Sequence, residues 1–554
     1  MRYALFILVL LLPQLGFACG GLFCNATTPV NQSAERILFA RSDTGIEMHV
    51  RITYQGPPTE FGWLLPVPLD VDYGLSADQI FTALDSLYSA RFVLRTEIDP
   101  DCQQRQAFDE EGVFAAGGAA DAGVAPNSEP DVAVLSREAV GPYDLALLQP
   151  ATIEDLRRWL DDNGYQIPDT ADATLIPYIT PNTAFIALKL LPTAGSGDVQ
   201  PLRLSFAGDT PAIPIVPTSV AAEPDMGIIV HLLGDSRGVS TNYRHVTINE
   251  ATIDWASSGR NYTDVVSQAV DEAGGRAFVT DFAGQHESRI RLSIVDDEIL
   301  SAIGNLGQGN ADGLTTWMNI EELLLSELGQ NDTDFRRIAQ AVISVPESIE
   351  INDFLRRPRN FRNHPDVHEI SVDIEALVEK ITFEVNEPRS MIMASFERNP
   401  YLTRLYSTMS GEEMNMDPQF GWNRDLPDVD NVRRAVRHVR CFMGMPDWEN
   451  AIIETESGLV FRQQDGENPN VIRRQEGETV RGLDLPAAEI IEEQMPAGQP
   501  RLVTDNRPEI MAKVTPSGGT GCACDASGSG SQGLGYLLLL LIPVLFRRRQ
   551  QPLP

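Results

Sequence analysis

The chain has 554 residues, with 43 lysines and arginines against 78 aspartates and glutamates, a formal net charge of −35. That balance excludes a general nucleic-acid binder, which needs clustered cations to hold phosphates. A hydrophobic content of 43% with 22% charged residues excludes disorder as the state of the bulk, and the length allows two or three domains, each with its own core. Only Lys189, Lys380 and Lys513 are lysines. A surface this acidic is repelled by anionic lipid headgroups unless divalent cations bridge the two.

Residues 1–18 have the form of a secretory signal: Arg2 as a thin basic start, the apolar run Ala4 to Leu12, Pro13, then Gly16 and Ala18 as the small residues before cleavage ahead of Cys19. Nine apolar residues reach only ~14 Å as a helix, short of a ~30 Å hydrocarbon core, so a signal peptidase substrate is expected rather than an anchor.

The alternation Ile46, Met48, Val50, Ile52 and Tyr54 predicts a half-buried strand, paired through the Ser42–Gly45 turn with Arg36 to Ala40. Another strand is expected over Phe61 to Leu65, stopped by Pro66 and Pro68. Ser76 and Gln79 have capping-box spacing ahead of a helix with Ile80, Leu84, Leu87 and Tyr88 on its apolar face. Residues 112–130 read as a flexible Gly/Ala/Asp-rich insertion. Thr152 is expected to cap a helix burying Ile153, Leu156, Trp159 and Leu160. Strands are predicted at Ala184 to Leu191, Leu202 to Phe206, Gly227 to Leu233, Val246 to Ile248 and Thr252 to Trp255, with a helix over Thr263 to Ala273. Helical stripes follow in the Ile320, Phe335 and Ile374–Val385 segments and over Val432 to Cys441; the last helix expected is Ala487 to Gln494.

The resulting expectation is an α+β protein. Residues 19–282 form a mainly antiparallel β region with short helices, 283–449 a mainly helical region and 450–513 a small mixed segment. A Gly/Ser-rich linker over 514–533 carries Cys522 and Cys524, and 534–554 hold an apolar run followed by Arg547, Arg548 and Arg549. The run Leu534 to Phe546 makes a helix of only ~20 Å, and the arginines act as a cytoplasmic stop. This tail resembles the MYXO-CTERM class of bacterial sorting signals. The resemblance implies processing by a membrane protease of the myxosortase type at Cys522 or Cys524 and anchoring at the cell envelope or outer surface.

If the tail pair serves sorting, Cys19, Cys24, Cys102 and Cys441 remain for disulfides in an oxidising compartment, with three pairings open. Cys19 and Cys24 are near enough to close a small loop, which would leave Cys102 to reach Cys441.

The opening CGGLFC with ITYQGPPTEFGWLLPVP resembles the bacterial domain-of-unknown-function family 2330. So do VGPYDLALL, WLDDNGY, MGIIVHLLGDSRGVSTNYRHVTINEATIDW, AVDEAGGRAFVTDFAG, NPYLTRLYSTMS and DLPDVDNV. The strings run in order from Cys19 to roughly Arg440. The resemblance implies kinship and export but no chemistry.

Four patterns are weighed as candidate chemistry. Gly234 to Gly238 fits G-x-S-x-G around Ser236, but the residues that follow read as a strand, whereas a nucleophile elbow feeds a helix. His364 and His368 lie four apart, yet Pro365 and the lack of a third ligand favour a surface loop. Asp425, Asp428 and Asp430 could hold Ca²⁺, without the spacing of an EF-hand loop. Arg433, Arg434, Arg437 and Arg440 read as a basic helix face paired to nearby carboxylates. The leading expectation is a non-catalytic binding or structural protein of the envelope, with no cofactor. The alternatives are an exported serine hydrolase using Ser236 and a calcium-dependent adhesion module.

Overall fold

The computed structural model describes residues 31–55, 61–100, 102, 132–165, 167–192, 199–286, 290–305, 320–462, 471–475, 478–480 and 484–514. The expected signal, the 112–130 insertion, Cys19, Cys24, and the tail with Cys522, Cys524 and the three arginines lie outside the described residues.

A ten-stranded sheet organises the molecule. In spatial order its strands are Arg501–Asp505, Ala488–Glu493, Arg244–Ile248, Ala277–Gln285, Tyr401–Met409, Ala222–Gly234, Asn31–Arg41, Ile46–Gln55, Leu202–Phe206 and Asp72–Leu75. Most neighbours are antiparallel, and Asn31–Arg41 beside Ala222–Gly234 is a parallel exception. The α+β expectation holds.

Period-two alternation assigns the faces of the sheet. Ile37, Phe39, Met48, Val50, Ile228 and Val230 point to one side. There they meet the inner face of a four-stranded sheet built from Gly62–Pro68, Thr183–Leu190, Tyr143–Gln149 and Ala133–Val140. The outer face of that smaller sheet buries Leu148 and Phe185 under the helix Ile153–Asp162, whose Thr152 cap accepts from the Asp155 amide. On the opposite side of the large sheet, Leu38, Ala40, Leu233 and Leu402 lie under the helices Asp78–Tyr88 and Glu387–Arg398. A polar row crosses this side: Arg36 and Arg404 both bind Asp85, and Arg404 and Tyr262 both bind Asp281.

The helices between Asp297 and Asn386 bury a separate core that includes Phe335, Ile338, Phe354 and Ile381. The mainly helical region expected over 283–449 therefore stops at Arg398, because Tyr401–Met409 supplies a central strand of the large sheet.

Several local expectations are corrected. Val432–Val439 is a strand, paired in parallel with Arg91–Ile98, so Arg433, Arg434, Arg437 and Arg440 form no helix face. Ala488–Glu493 is a strand, and Thr252 to Trp255 falls in short 3₁₀ turns. Ser76 does not cap its helix; it hydrogen-bonds His49 Nδ1 at 2.8 Å, and the N-cap residue Ala77 supplies no side-chain bond. Gly62–Pro68 runs through Pro66 and Pro68, which is tolerated because this strand is the edge of its sheet.

Candidate functional site

The strand Ala222–Gly234 leaves the core and turns at Asp235-Ser236 into a second strand, Arg237–Ser240. Ser236 thus sits between two strands, with no helix to aim its hydroxyl. Its Oγ donates to Asp235 Oδ1 at 3.1 Å, and Asp235 also faces Arg41 and Arg424, each at 3.5 Å. Among the described residues no histidine hydrogen-bonds Ser236.

The histidines that follow it in sequence are engaged elsewhere. His286 Nε2 lies 2.8 Å from the Asn399 carbonyl, and His438 Nε2 lies 3.3 Å from Glu454. His364 accepts from the Asp366 amide, and His368 lies in the 3₁₀ turn Val367–Glu369.

His245 makes the most suggestive set of contacts. Its Nε2 is 3.0 Å from Thr280 Oγ1, and its Nδ1 is 3.2 Å from Glu492 Oε1, within ion-pair distance but out of line for a hydrogen bond. Burial lowers the His245 pKa, partly offset by Glu492, which favours the neutral ring. A proton on Nδ1 leaves Nε2 to accept from the Thr280 hydroxyl, while Thr280 Oγ1 accepts from Arg237 Nη2 at 3.1 Å. The order carboxylate, imidazole, hydroxyl resembles an acid–base relay. Thr280 is only 4% exposed, however, and Arg237 also binds the Pro427 carbonyl at 2.9 Å. The set ties four strands together around a buried hydroxyl. It was invisible in the sequence because its members come from segments up to 255 positions apart, joined only by the sheet.

The three aspartates weighed for calcium take different protein donors. Asp425 accepts from the Gly498 amide at 2.7 Å, Asp428 from the Tyr401 hydroxyl at 2.7 Å and Asp430 from the Val432 amide at 3.1 Å. Among the described residues no group of three or more His, Cys, Asp or Glu could hold a metal ion.

A concavity lies where the large sheet meets the helical core. It measures 630 Å³ and is lined by the edge strand Asp72–Leu75, the turn at Gly141, Arg203, and two ridges of the helices from Ala376 to Met391. That size suits a small molecule. The ridges arise because residues three and four apart share a helix face, and one turn here is a π-helix, Ile381–Asn386, a rare geometry that recurs at functional sites. Most charges are internally paired: Arg203 with Asp72 at 2.7 Å, Lys380 with Glu384 at 2.6 Å and Glu384 with Arg337 at 2.8 Å. Phe383 stands 58% exposed on the rim, with the exposed Glu379 and Glu387 four residues to either side. No Ser, Thr, Cys or His is among the lining residues. The wall offers aromatic faces, carboxylates, two cations and apolar surface.

Comparison with known proteins supplies kinship. The model of DUF2330, described as an uncharacterized protein conserved in bacteria, matches residues 13–294, just over half of the chain. The chain belongs to this family. The DUF2330 match covers the strands up to Ala277–Gln285 and ends before the helical core, so the cleft joins a family wall to helices beyond it. No curated protein and no solved structure matches the chain.

Proposed function

We propose that this DUF2330 protein is exported and held at the bacterial cell envelope, where it acts as a binding element, not a catalyst, with the cleft at Phe383 as its ligand site. The observation that carries the export reading is the disulfide between Cys102 and Cys441, 339 positions apart. Such a bond persists in oxidising compartments and is rare in the cytosol. The signal-like residues 1–18, with cleavage after Ala18, supply the route and a signal peptidase as partner. The tail resembling MYXO-CTERM signals supplies a membrane tether, with a myxosortase-type protease acting at Cys522 or Cys524. The binding reading rests on the composition of the cleft wall and on the hydrogen bond of the Ser236 hydroxyl to Asp235 at a strand–strand turn.

Mass spectrometry of the protein recovered from fractionated cells, alkylated before and after reduction, tests this. The expected result is an envelope-fraction chain beginning at Cys19 and ending near Cys522 or Cys524, with Cys102 and Cys441 protected until reduction. An intact chain in the cytosol with both thiols free would refute it.

A further inference from the structure

One apolar surface has no role in the fold or the cleft. Cys441–Phe442 and Met445–Pro446 form a small antiparallel hairpin, closed by the Met443-Gly444 turn. The Cys102 disulfide and a 2.8 Å hydrogen bond from the Asp447 amide to the Arg440 carbonyl brace its base. Both turn residues are left-handed, φ 50° at Met443 and 77° at Gly444, as a two-residue hairpin turn requires. Asn, Asp or Gly suits the first of these positions; an unbranched apolar side chain gains nothing there. Met443 is 89% exposed, Phe442 64%, Met445 53% and Trp448, just beyond the hairpin, 45%. From Cys441 to Pro446 there is no charged residue, in a protein whose net charge is −35.

We propose that this hairpin is a membrane-contact device that inserts its tip into the interfacial layer of a lipid bilayer. The shape favours lipid over a protein partner. The tip is convex and offers a few side chains, far from the ~800 Å² per partner that a stable protein interface buries. A bilayer requires no matching surface, only apolar atoms to bury, and Trp448 beside the tip is a residue type enriched at headgroup depth. Forty residues follow Val514 in the precursor, and its apolar run Leu534 to Phe546 with three arginines would bring the chain to a bilayer before processing near Cys522 or Cys524. That last support rests on the envelope reading above; the hairpin geometry does not. The brace at Cys102 keeps the turn rigid, so little ordering is lost on insertion.

The test uses the mature chain with vesicles of brominated phosphatidylcholine, which quench only tryptophans that reach the acyl region. The Trp448 signal is the difference between the native chain and Trp448→Phe. Quenching of that signal is expected. The double variant Phe442→Ser, Met443→Asn should abolish it, weakening hairpin partitioning roughly ten-fold or more per lost side chain. Asn accepts the left-handed turn, so an unchanged melting temperature separates this loss from misfolding. An unquenched Trp448 in the presence of excess vesicles, whether or not the chain floats with them, would overturn the proposal. Protection of Trp448 that follows protein concentration without lipid would also overturn it, in favour of a second copy. Neither result depends on where cells place the protein, so the fractionation experiment fails or succeeds separately.

Discussion

Glu35 offers the sharpest test of the electrostatics. It lies on the strand Asn31–Arg41, on the same face as Ile37 and Phe39, is 4% exposed, and its Oε2 has no hydrogen-bond partner. Burial, with a smaller push from the nearby Asp417, raises its pKa from 4.5 to about 7. A carboxyl whose folded pKa is raised binds its proton more tightly in the native state. Its contribution is fully present below 4.5 and is lost as pH rises through 7. At ~1.4 kcal/mol per unit, the ionised side chain costs the native state about 3 kcal/mol at pH 8 and under about 1 kcal/mol at pH 5. Glu35→Gln keeps the shape of the protonated form and cannot ionise. The variant should therefore exceed the native protein in stability by about 3 kcal/mol at pH 8, with most of the difference gone at pH 5. Paired urea titrations at the two pH values measure it. A difference that does not change with pH, or a variant less stable at pH 8, would refute the assignment.

Other expectations follow from the same physics. Burial depresses His49 to about 4 and His231 to about 3, so both favour the neutral ring when folded. Their stabilisation is complete above 6.5 and lost as pH falls toward those values; in the Glu35→Gln background, stability should decline steadily from pH 6.5 to 4. Arg389 is fully buried and donates to Asp332 at 2.6 and 2.8 Å and to Asp334 at 2.7 Å. Burial works to raise the Asp332 pKa, but the bonds and charge of Arg389 outweigh it and hold it low. Arg389→Ala should cost about 3–5 kcal/mol by stranding these carboxylates, read as a lower midpoint in denaturant unfolding. Reducing the Cys102–Cys441 bond should lower the melting temperature, with a chain-entropy ceiling of about 6 kcal/mol; an unchanged value would mean the bond braces only its own hairpin. Gly259→Ala should destabilise by more than about 1 kcal/mol in thermal unfolding, because φ is +75° and the new Cβ would strike the Phe92 ring.

The misread elements share a cause. Val432–Val439 and Ala488–Glu493 carry charged residues that propensity tolerates in a helix, and isolated stretches of eight and six residues hold too few apolar positions to separate a period of 3.6 from one of 2. What makes them strands is the partner: Arg91–Ile98 for the first, Arg244–Ile248 and Arg501–Asp505 for the second. The pairings with Arg91–Ile98 and Arg244–Ile248 span hundreds of positions and leave no local trace. Ile46–Gln55 was legible because its alternation and its turn to Asn31–Arg41 are both local.

The same distinction governs the sites. Ser236 stood out because a motif is a local pattern, yet the fold places it at a strand–strand turn with Asp235 as its acceptor. The cleft had no motif at all. Its walls are an edge strand near residue 73, a turn near 141 and helices near 383, and the return of Tyr401–Met409 into the large sheet, with the helix Glu387–Arg398 packed on that sheet, brings the helical core against the β-body. If that return strand is what positions the ridge carrying Phe383, then weakening it should open the cleft before it unfolds the family core. Thr403→Ala is the probe: Thr403 is fully buried and accepts from the Gly238 amide at 2.7 Å, so the change strands a buried donor at a cost of ~1–3 kcal/mol. Hydrogen exchange should then rise first across residues 376–391 and 401–409. Uniform loss of protection, with Ile186 and Tyr143 released alongside, would mean the two halves unfold as one and the cleft has no independent hinge.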